Sequence, residues 1–265
     1  MYRAWFNLSD DPFRKDLPTD QLFQSELFSE ASQRLDYLKN NRGLMLLTGD
    51  PGTGKSTIIR NFVHSLNKNS FSVFYAQLST VSVIDFYRQI LFMLSGEKLH
   101  RKCDLFRKIQ QCIQTRITSN RQIPIFIFDE AHLLKNDNFT ELQLLMNFEF
   151  DSVLPLLVIL VGQPHLRDRL TRDNLRSFAQ RITIRYHLLP LSKPQTLDFI
   201  QHSICRIGGD ISIFSESALD AIYNIATGNI RVTANIASKA LISATLCKRK
   251  AVSEEDVFNA EKEIH

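Results

Sequence analysis

The sequence predicts an α/β fold, in which a parallel five-stranded sheet flanked by helices is followed by a small all-α domain. Five strand-like segments alternate with helical segments as far as residue 190, and this alternation favours a parallel sheet covered on both faces. A glycine-rich loop joins the first strand to the helix that follows it. From residue 193 onward only amphipathic helical patterns occur, which predicts a separate helical domain.

The predicted elements of the sheet domain follow from apolar runs, alternation and helical spacing. Central strands are expected to be apolar throughout, because helices cover both faces of a parallel sheet. The predicted strands span residues 43–48, 71–77, 123–128, 154–161 and 182–186, and the predicted helices span residues 56–66, 83–94, 104–118, 139–150 and 165–180.

The boundary between the two domains is predicted near residues 189–193, where Pro190 and Pro194 interrupt the chain. We therefore assign residues 1–190 to the α/β domain and residues 191–265 to the helical domain. Within the second domain, Ser215 or Ser217 is expected to begin a helix that Gly228 ends, and residues 229–246 form another helix. The segment from Ser253 to Asp256 resembles a capping box and opens the last helix.

Composition places the chain among globular proteins, with 44% hydrophobic and 23% charged residues. No apolar run approaches the roughly 20 residues of a membrane helix, and the N-terminus lacks the apolar core of a signal peptide. The four cysteines are scattered, which predicts reduced thiols without a zinc site or disulfides in a cytoplasmic protein. The net charge of +4 permits contact with nucleic acid without requiring it.

The glycine-rich loop after the first strand fits the phosphate-binding pattern G-x-x-x-x-G-K-[ST] at every fixed position. In that pattern backbone N–H groups surround the phosphates, Lys55 reaches the β- and γ-phosphates, and Ser56 offers its hydroxyl to Mg²⁺. An ordinary glycine turn is the alternative, but a strand before the loop and a helix after it favour binding of ATP with Mg²⁺. The nucleotide-binding candidates are Asp50, Pro51, Gly52, Thr53, Gly54, Lys55, Ser56 and Thr57.

An acidic pair ends the buried strand at residues 123–128. Asp129 is expected to hold the Mg²⁺ shell together with Ser56, and Glu130 to activate the attacking water as a general base. The alternative is a strand that merely ends in an acidic turn. Because the pair follows a phosphate loop at the expected distance, catalysis is the preferred interpretation.

Four further polar residues are candidates for the nucleotide site. Gln163 follows the fourth strand and can orient the water or sense the γ-phosphate, or it can be a plain turn residue. Gln77 ends the second strand and can hold Glu130 in an inactive pose. Arg181 and Arg231 can neutralise charge on the γ-phosphate, although isolated arginines are more often surface or salt-bridge residues.

These motifs, taken in order, resemble those of the AAA+ ATPases along nearly the whole chain. Within that superfamily the chain looks most like the ExeA-like group, which is similar to the transposition ATPases TnsC, TniB and IstB. The supporting segments are Tyr2…Trp5-Phe6…Asp11-Pro12-Phe13, Gly49-Asp-Pro-Gly-Thr-Gly-Lys-Ser56, Asp129-Glu-Ala-His132-Leu-Leu134, Gly162-Gln-Pro164, Gln180-Arg-Ile182 and Gly228-Asn-Ile-Arg231.

The resemblance implies residue roles and an oligomer. Arg181 would be an arginine finger acting on a neighbour's ATP, with Arg172 and Arg176 as alternatives. Arg231 would be the sensor in a helical lid, and Gln163 the sensor after the fourth strand. Phe13 would line the adenine pocket within the N-terminal segment of residues 1–30. Family members form ring or helical homo-oligomers with ATP between subunits.

The resemblance also implies a function. The secretion-type relatives add a membrane helix and a peptidoglycan-binding domain, whereas this chain ends at His265 after the lid. We therefore expect a cytoplasmic, DNA-dependent ATPase that assembles with ATP on double-stranded DNA and selects targets for a partner transposase. The three basic clusters are Arg101, Lys102, Arg107 and Lys108, then Arg167, Arg169, Arg172 and Arg176, and finally Lys248, Arg249 and Lys250. They agree with phosphate contacts, and no base-reading module is visible, so binding should be largely independent of sequence.

Two other functions stay open at this point. One is an assembly ATPase of the ExeA/GspA secretion type, of which this sequence would be a truncated or divergent form. The other is a nucleotide-dependent switch that binds a partner without hydrolysing ATP. Loss of hydrolysis on changing Glu130 would separate an enzyme from such a switch.

Overall fold

The computed structural model of the chain describes residues 2–77, 81–148 and 155–263. Contacts divide the chain into two compact units. The sheet unit comprises Glu30–Gly49 and Lys55–Leu188, and the helical unit comprises Met1–Ser29, Asp50–Gly54 and Leu189–His265. The end of the helix predicted at residues 139–150 and the start of the strand predicted at residues 154–161 lie outside the described residues.

The sheet unit contains a five-stranded sheet in the order β2-β3-β4-β1-β5, and every neighbouring pair is parallel. The predicted fold class is therefore confirmed. The strands are β1 (Gly43–Gly49), β2 (Phe71–Gln77), β3 (Ile123–Asp129), β4 (Leu157–Gly162) and β5 (Ile182–Leu188).

Burial along the strands reflects their place in the sheet. Every residue of β1 and β4 is buried, as expected for central strands covered on both faces. The edge strand β5 instead alternates between buried and more exposed positions. Ring stacking of Phe74 on Phe126, with centroids 5.2 Å apart, joins the other edge strand β2 to its neighbour β3.

The first eight helices are α1 (Tyr2–Trp5), α2 (Glu26–Asn41), α3 (Lys55–Ser65), α4 (Val83–Ser95), α5 (Lys102–Thr118), α6 (Asn136–Leu145), α7 (Pro164–Leu170) and α8 (Arg176–Gln180). Three expectations needed correction: α2 was not predicted, α6 starts and ends earlier than expected, and the helix predicted at residues 165–180 is broken. Arg172 is extended between α7 and the short 3-10 helix Asp173–Leu175. Asp173 and Asn174 favour turns over helix interiors, which accounts for the break.

The helical unit contains α9 (Lys193–Cys205), α10 (Glu216–Ala226), α11 (Ile230–Leu246) and α12 (Glu254–Lys262). Side-chain caps start α10 and α11, because Ser215 accepts from the Ala218 N–H and Asn229 accepts from the Val232 N–H. Ser253 and Asp256 form the predicted capping box at the start of α12. Phe214 and Val252 form an isolated parallel β-bridge in this unit.

The N-terminal segment packs within the helical unit. The Trp5 indole donates to the Arg249 carbonyl at 2.8 Å, and the Phe13 ring lies 6.1 Å from that of Phe199. Residues 1–29 thus share contacts with the helices after residue 189. The functional assignment of residues 1–190 to a nucleotide-binding domain and of residues 191–265 to a lid stays our proposal.

All four cysteines are free thiols. Over residues 2–77, 81–148 and 155–263, no helix combines the length and the apolar character needed to cross a lipid bilayer.

A buried carboxylate stabilises the end of the helical unit. Asp256 is fully buried and accepts hydrogen bonds from the Ser253 N–H at 3.0 Å and the Ser243 hydroxyl at 2.9 Å. Arg249 forms an ion pair with it at 3.0 Å. Burial alone would raise the pKa of Asp256, but the hydrogen bonds from Ser253, Ser243 and Arg249 outweigh it and lower the pKa.

We predict that Asp256→Ala lowers the free energy of unfolding by about 2–3 kcal/mol, because it leaves buried donors without their acceptor. The matched control is Asp220→Ala, which removes an exposed partner of Lys193 and should cost less than about 1 kcal/mol. Urea unfolding at pH 7 measures both changes, since the lowered pKa keeps Asp256 ionised there. Equal losses in the two variants would contradict the prediction.

Candidate nucleotide-binding site

The positions of the candidate nucleotide-binding residues in the sheet unit follow from the strand order. Strand β4 lies between β1 and β3, so the carboxyl ends of these three strands are neighbours. Lys55 follows the loop after β1, Asp129 ends β3, and Gln163 comes directly after β4. In open parallel sheets, ligands bind outside the carboxyl ends of the strands. The structure therefore brings three of the sequence-predicted residues to one edge of the sheet.

The start of α3 has the features of an anion site. Lys55 is the first residue of α3, and its ammonium donates to the Gly49 carbonyl at 2.8 Å. Ser56 is exposed and Thr57 is half-buried in the first turn of the same helix. The unpaired N–H groups and the dipole of a helix N-terminus favour a bound phosphate.

Loop residues 50–54 belong to the helical unit, where they contact the start of α11. The Asn229 side-chain amide donates to the Pro51 carbonyl at 2.7 Å, and the Arg231 N–H donates to the Gly52 carbonyl at 3.2 Å. Gly52 has φ +89°, and a Cβ there would lie 2.4 Å from the Asn229 Oδ1. Only glycine fits this position. The Thr53 hydroxyl closes the turn by donating to the Asp50 carbonyl at 2.8 Å.

Asn229 is a residue whose contact with the loop the sequence analysis missed. Asn229 lies within the motif Gly228-Asn-Ile-Arg231, in which the sequence analysis assigned a functional role only to Arg231. It lies 178 residues from Pro51 in sequence, so local spacing carries no signal for this contact. The Asn at a helix start does signal an N-cap, and that part was within reach of sequence analysis.

Asp129 is only 7% exposed, and both of its carboxylate oxygens accept hydrogen bonds. Oδ1 accepts from the Glu130 N–H at 2.9 Å, and Oδ2 accepts from the Tyr75 hydroxyl at 2.6 Å. The Gln77 amide donates to the same Tyr75 hydroxyl at 3.2 Å. Burial, and next the hydrogen bond to Asp129, raise the pKa of Tyr75 to about 12. Tyr75 was not among the predicted residues.

Glu130 follows Asp129 in a left-handed backbone conformation, with φ +53° and ψ +33°. This conformation is strained for a residue other than glycine, and such strain is typical of functional sites. The half-exposed Glu130 carboxylate lies 3.3 Å from the Nδ1 of buried His132, without hydrogen-bonding geometry. The amide of Gln77, expected near Glu130, instead binds Tyr75.

The charge state of His132 follows from its surroundings. Burial lowers the pKa of His132; the Glu130 carboxylate opposes this shift, whereas His165, Lys55 and Arg169 reinforce it. The ring is therefore neutral at pH 7, and its contact with Glu130 is not an ion pair. His132 therefore supplies no positive charge to Glu130.

The remaining candidates occupy the expected elements. Gln163 is half-buried and is the N-cap residue of α7. Arg181 is half-buried between α8 and β5, while Arg172 and Arg176 are exposed. Arg231 is exposed in the first turn of α11. Their roles toward a nucleotide or a neighbouring protomer stay predictions.

The donor set fits a hydrated Mg²⁺ ion. An exposed hydroxyl of Ser56 and a single carboxylate of Asp129 are the kind of ligands that Mg²⁺ uses when phosphates and waters complete its shell. A cage built from protein alone is not expected for this ion. The described part of the chain contains no group of three or more His, Cys, Asp or Glu residues suited to a metal.

The fold and the loop define a P-loop nucleotide-binding protein. The sequence profile of the AAA domain matches residues 38–170, and the chain belongs to this family of P-loop ATPases. Members of the family hydrolyse ATP, so the prediction of an AAA+ ATPase is confirmed at this level. The specific likeness to the transposition ATPases stays a prediction.

Similar proteins extend the match beyond the family domain. General secretion pathway protein A of Aeromonas hydrophila is 31% identical over 100% of this chain and 48% of that protein. The crystal structure of Cdc6p from Pyrobaculum aerophilum has a TM-score of 0.75 at 19% identity, covering 97% of this chain and 71% of that one. Drosophila ORC bound to DNA has a TM-score of 0.71 at 18% identity, covering 99% and 65%. The two structures indicate a shared fold alone. The chain spans about half the length of the curated relatives it matches.

We predict that Asn229→Ala weakens ATP binding about 5-fold, because losing the bond to Pro51 releases the loop and costs about 1 kcal/mol. Isothermal titration with a non-hydrolysable ATP analogue measures the affinity. The matched control is Ser215→Ala, which also removes a helix N-cap but contacts α10 instead of the loop. Both variants should lose about 1 kcal/mol of stability, and only Asn229→Ala should lose affinity. Equal affinities in the two variants would refute the role.

Proposed function

We propose that this chain binds ATP with Mg²⁺ and hydrolyses it in a homo-oligomer, with each site completed by a neighbouring copy. The observation that carries the proposal is the parallel order β3-β4-β1, which brings Asp129, Gln163 and Lys55 to one edge of the sheet unit. Lys55 contacts the β- and γ-phosphates, and Ser56 and Asp129 hold the metal shell. Bound Mg²⁺ neutralises charge that develops on the phosphates.

The loop backbone supports phosphate binding. The carbonyl of Pro51 is tied to Asn229 and that of Gly52 to the start of α11. In a trans peptide the carbonyl and the following N–H point in opposite directions. Fixing the Pro51 carbonyl therefore turns the Gly52 N–H to the other side of the loop, where an anion can accept from it.

Glu130 is the residue proposed to take the proton from the attacking water. Its carboxylate is half-exposed, and the neutral His132 beside it forms no ion pair with it. The strained backbone at φ +53° sets its direction directly after the buried Asp129. Gln163, at the end of the adjacent strand, orients the same water.

Three residues are proposed to act at the edges of the nucleotide. Arg181 reaches the γ-phosphate of a neighbouring protomer and neutralises charge in the transition state, with Arg172 and Arg176 as alternatives. Arg231, next to the loop at Gly52, senses the phosphate from the helical unit. Phe13, packed on Phe199, lines the adenine pocket.

We predict that Arg181→Ala slows ATP hydrolysis by about 10³-fold and that Glu130→Gln slows it by at least about 10²-fold. An equal mixture of the two inactive variants should recover roughly a quarter of the wild-type rate, because one site in four pairs an intact Glu130 with an intact Arg181. A phosphate-release assay measures all three rates.

The control mixes Glu130→Gln with Lys55→Ala. Both residues serve the same protomer's site, so no random pairing rebuilds an intact site and the mixture should stay inactive. Repeating the first mixture with Arg172→Ala or Arg176→Ala identifies which arginine crosses the interface. An Arg181→Ala mixture that recovers nothing would argue against a site completed by its neighbour through Arg181.

The finer proposal is that the oligomer assembles on double-stranded DNA, as a ring or helical filament, in the cytoplasm, and regulates a transposase. One support is the likeness in fold to the structure of Drosophila ORC bound to DNA. The motif resemblance to the transposition ATPases is the basis for a transposase as partner. Binding largely independent of sequence follows from phosphate contacts.

Contacts within the protein show which cations of the basic clusters are already bound to other groups of the chain. The Arg169 guanidinium donates to the carbonyls of His132 and Leu134 at 2.9 and 2.7 Å, so it stabilises the sheet unit. Lys102, Lys108 and Arg249 pair with acidic side chains. The exposed cations in these clusters that are proposed to reach DNA phosphates are Arg107, Arg172, Arg176, Lys248 and Lys250.

A second candidate is an assembly ATPase of the secretion type. The 31% identity to general secretion pathway protein A over the whole of this chain favours it. The chain covers 48% of that protein, so the similarity concerns about half of its length. Both candidates use the same nucleotide site, and they differ in whether DNA is the ligand of the oligomer.

We predict that duplex DNA of random sequence raises the ATPase rate and promotes ATP-dependent oligomers, visible by electron microscopy and sedimentation. The double variant Lys248→Glu and Lys250→Glu should weaken DNA binding and reduce the slope of affinity against salt. Its matched control, Lys193→Glu, changes a lysine that pairs with Asp220. If DNA alters neither assembly nor rate, the DNA-dependent proposal fails and the secretion-type candidate gains.

A further inference from the structure

The register between β2 and β3 places two polar side chains next to Asp129. Gln77 is paired with Asp129 across the two strands, and Tyr75 is paired with Ile127. Residues two positions apart on a strand share a face of the sheet, so Tyr75 is the diagonal neighbour of Asp129 on the same face. An aromatic side chain at this diagonal reaches its neighbour.

A short chain of hydrogen bonds results from this placement. The Gln77 amide donates to the Tyr75 hydroxyl at 3.2 Å, and the hydroxyl donates to the Asp129 Oδ2 at 2.6 Å. The other oxygen, Oδ1, accepts from the Glu130 N–H at 2.9 Å. With a donor on each oxygen, the plane of the Asp129 carboxylate is fixed from both sides.

Packing does not account for Tyr75 in the way it does for its neighbours. The alternate residues Phe74 and Ala76 are buried in the core, whereas Tyr75 is 47% exposed. Its ring lines a groove of 610 Å³ together with Phe92 and Met93 of α4. The hydroxyl nevertheless reaches back to a carboxylate that is 7% exposed. The ring contributes little to the core, so the bond to Asp129 is its distinctive contact.

We propose that Tyr75 is a positioning residue for the Mg²⁺ site, and this inference rests on the proposed ATPase function. A carboxylate oxygen has two lone-pair directions. The Tyr75 hydroxyl occupies one direction on Oδ2 and leaves the other for a water of the metal shell. Groups that orient a metal-binding carboxylate in this way commonly change metal affinity when they are removed.

The test is Tyr75→Phe, which removes the hydroxyl and keeps the half-exposed ring. Mg²⁺ is titrated into protein saturated with a fluorescent ATP analogue, and the fluorescence change gives the Mg²⁺ concentration at half-saturation. We expect this concentration to rise about 10-fold. Binding of the analogue without Mg²⁺ should be unchanged, and the hydrolysis rate should recover at saturating Mg²⁺.

The matched control is Tyr87→Phe, which also deletes a hydroxyl that donates to a carboxylate, here that of Glu141. Its Mg²⁺ half-saturation should equal that of the wild type. Gln77→Ala, which removes the donor behind Tyr75, should raise the half-saturation less than Tyr75→Phe does. A purely structural role of Tyr75 would change stability without this separation of metal and nucleotide affinities.

The outcomes separate this inference from the function on which it rests. If the wild type binds and hydrolyses ATP with Mg²⁺, and Tyr75→Phe leaves the half-saturation unchanged or lower, the positioning role is wrong and the ATPase function stands. If the wild type binds no nucleotide, the ATPase function falls first and takes the positioning role with it.

Discussion

The parallel register of the three central strands is the constraint on which the site depends. Strands β1 and β4 are buried at every residue, so neither can slip along its neighbours without moving apolar side chains out of contact. This fixes where β3 ends relative to the end of β1. Asp129 and Gln163 then need no long-range contact of their own to lie at the same edge as Lys55. The hydrophobic pattern of the strands thus sets the geometry of the polar chemistry.

The price of that arrangement is a carboxylate placed where water hardly reaches it. Asp129 is 7% exposed, and an unpaired charge there would be unfavourable by several kcal/mol. The Glu130 N–H and the Tyr75 hydroxyl meet this need in the structure described here. The same two donors restrict the carboxylate to one orientation. The same hydrogen bonds therefore stabilise the buried Asp129 and orient it, and one of them comes from Tyr75 on the edge strand β2.

Sequence analysis predicted the five strands, the phosphate loop and the acidic pair, because each produces a local pattern. It missed α2, although Phe28, Ala31, Leu35 and Leu38 recur at helical spacing and are buried. Other features had no local signal. The contact of Asn229 with Pro51 spans 178 residues, and that of Tyr75 with Asp129 spans 54. Such contacts depend on register and chain crossing, which spacing alone does not encode. The break after α7 is different, because a local signal for it was present. Asp173 and Asn174 favour a turn, but the apolar periodicity around them predicted a continuous helix over residues 165–180.

The basic residues show another limit of sequence analysis. A net charge of +4 and three basic clusters suggest an electrostatic partner, but the number of cations does not equal the number available to it. Arg169 is held by two carbonyls and the face of Phe139, and burial lowers its pKa, so it acts as a structural donor. Arg249 caps the helical unit through Asp256 and Glu255. Only the exposed remainder could contact an anionic partner directly, whereas the paired cations would contribute only through a field that salt screens within about 8–10 Å. The number of cations that could contact an anionic partner directly is therefore smaller than the number in the sequence.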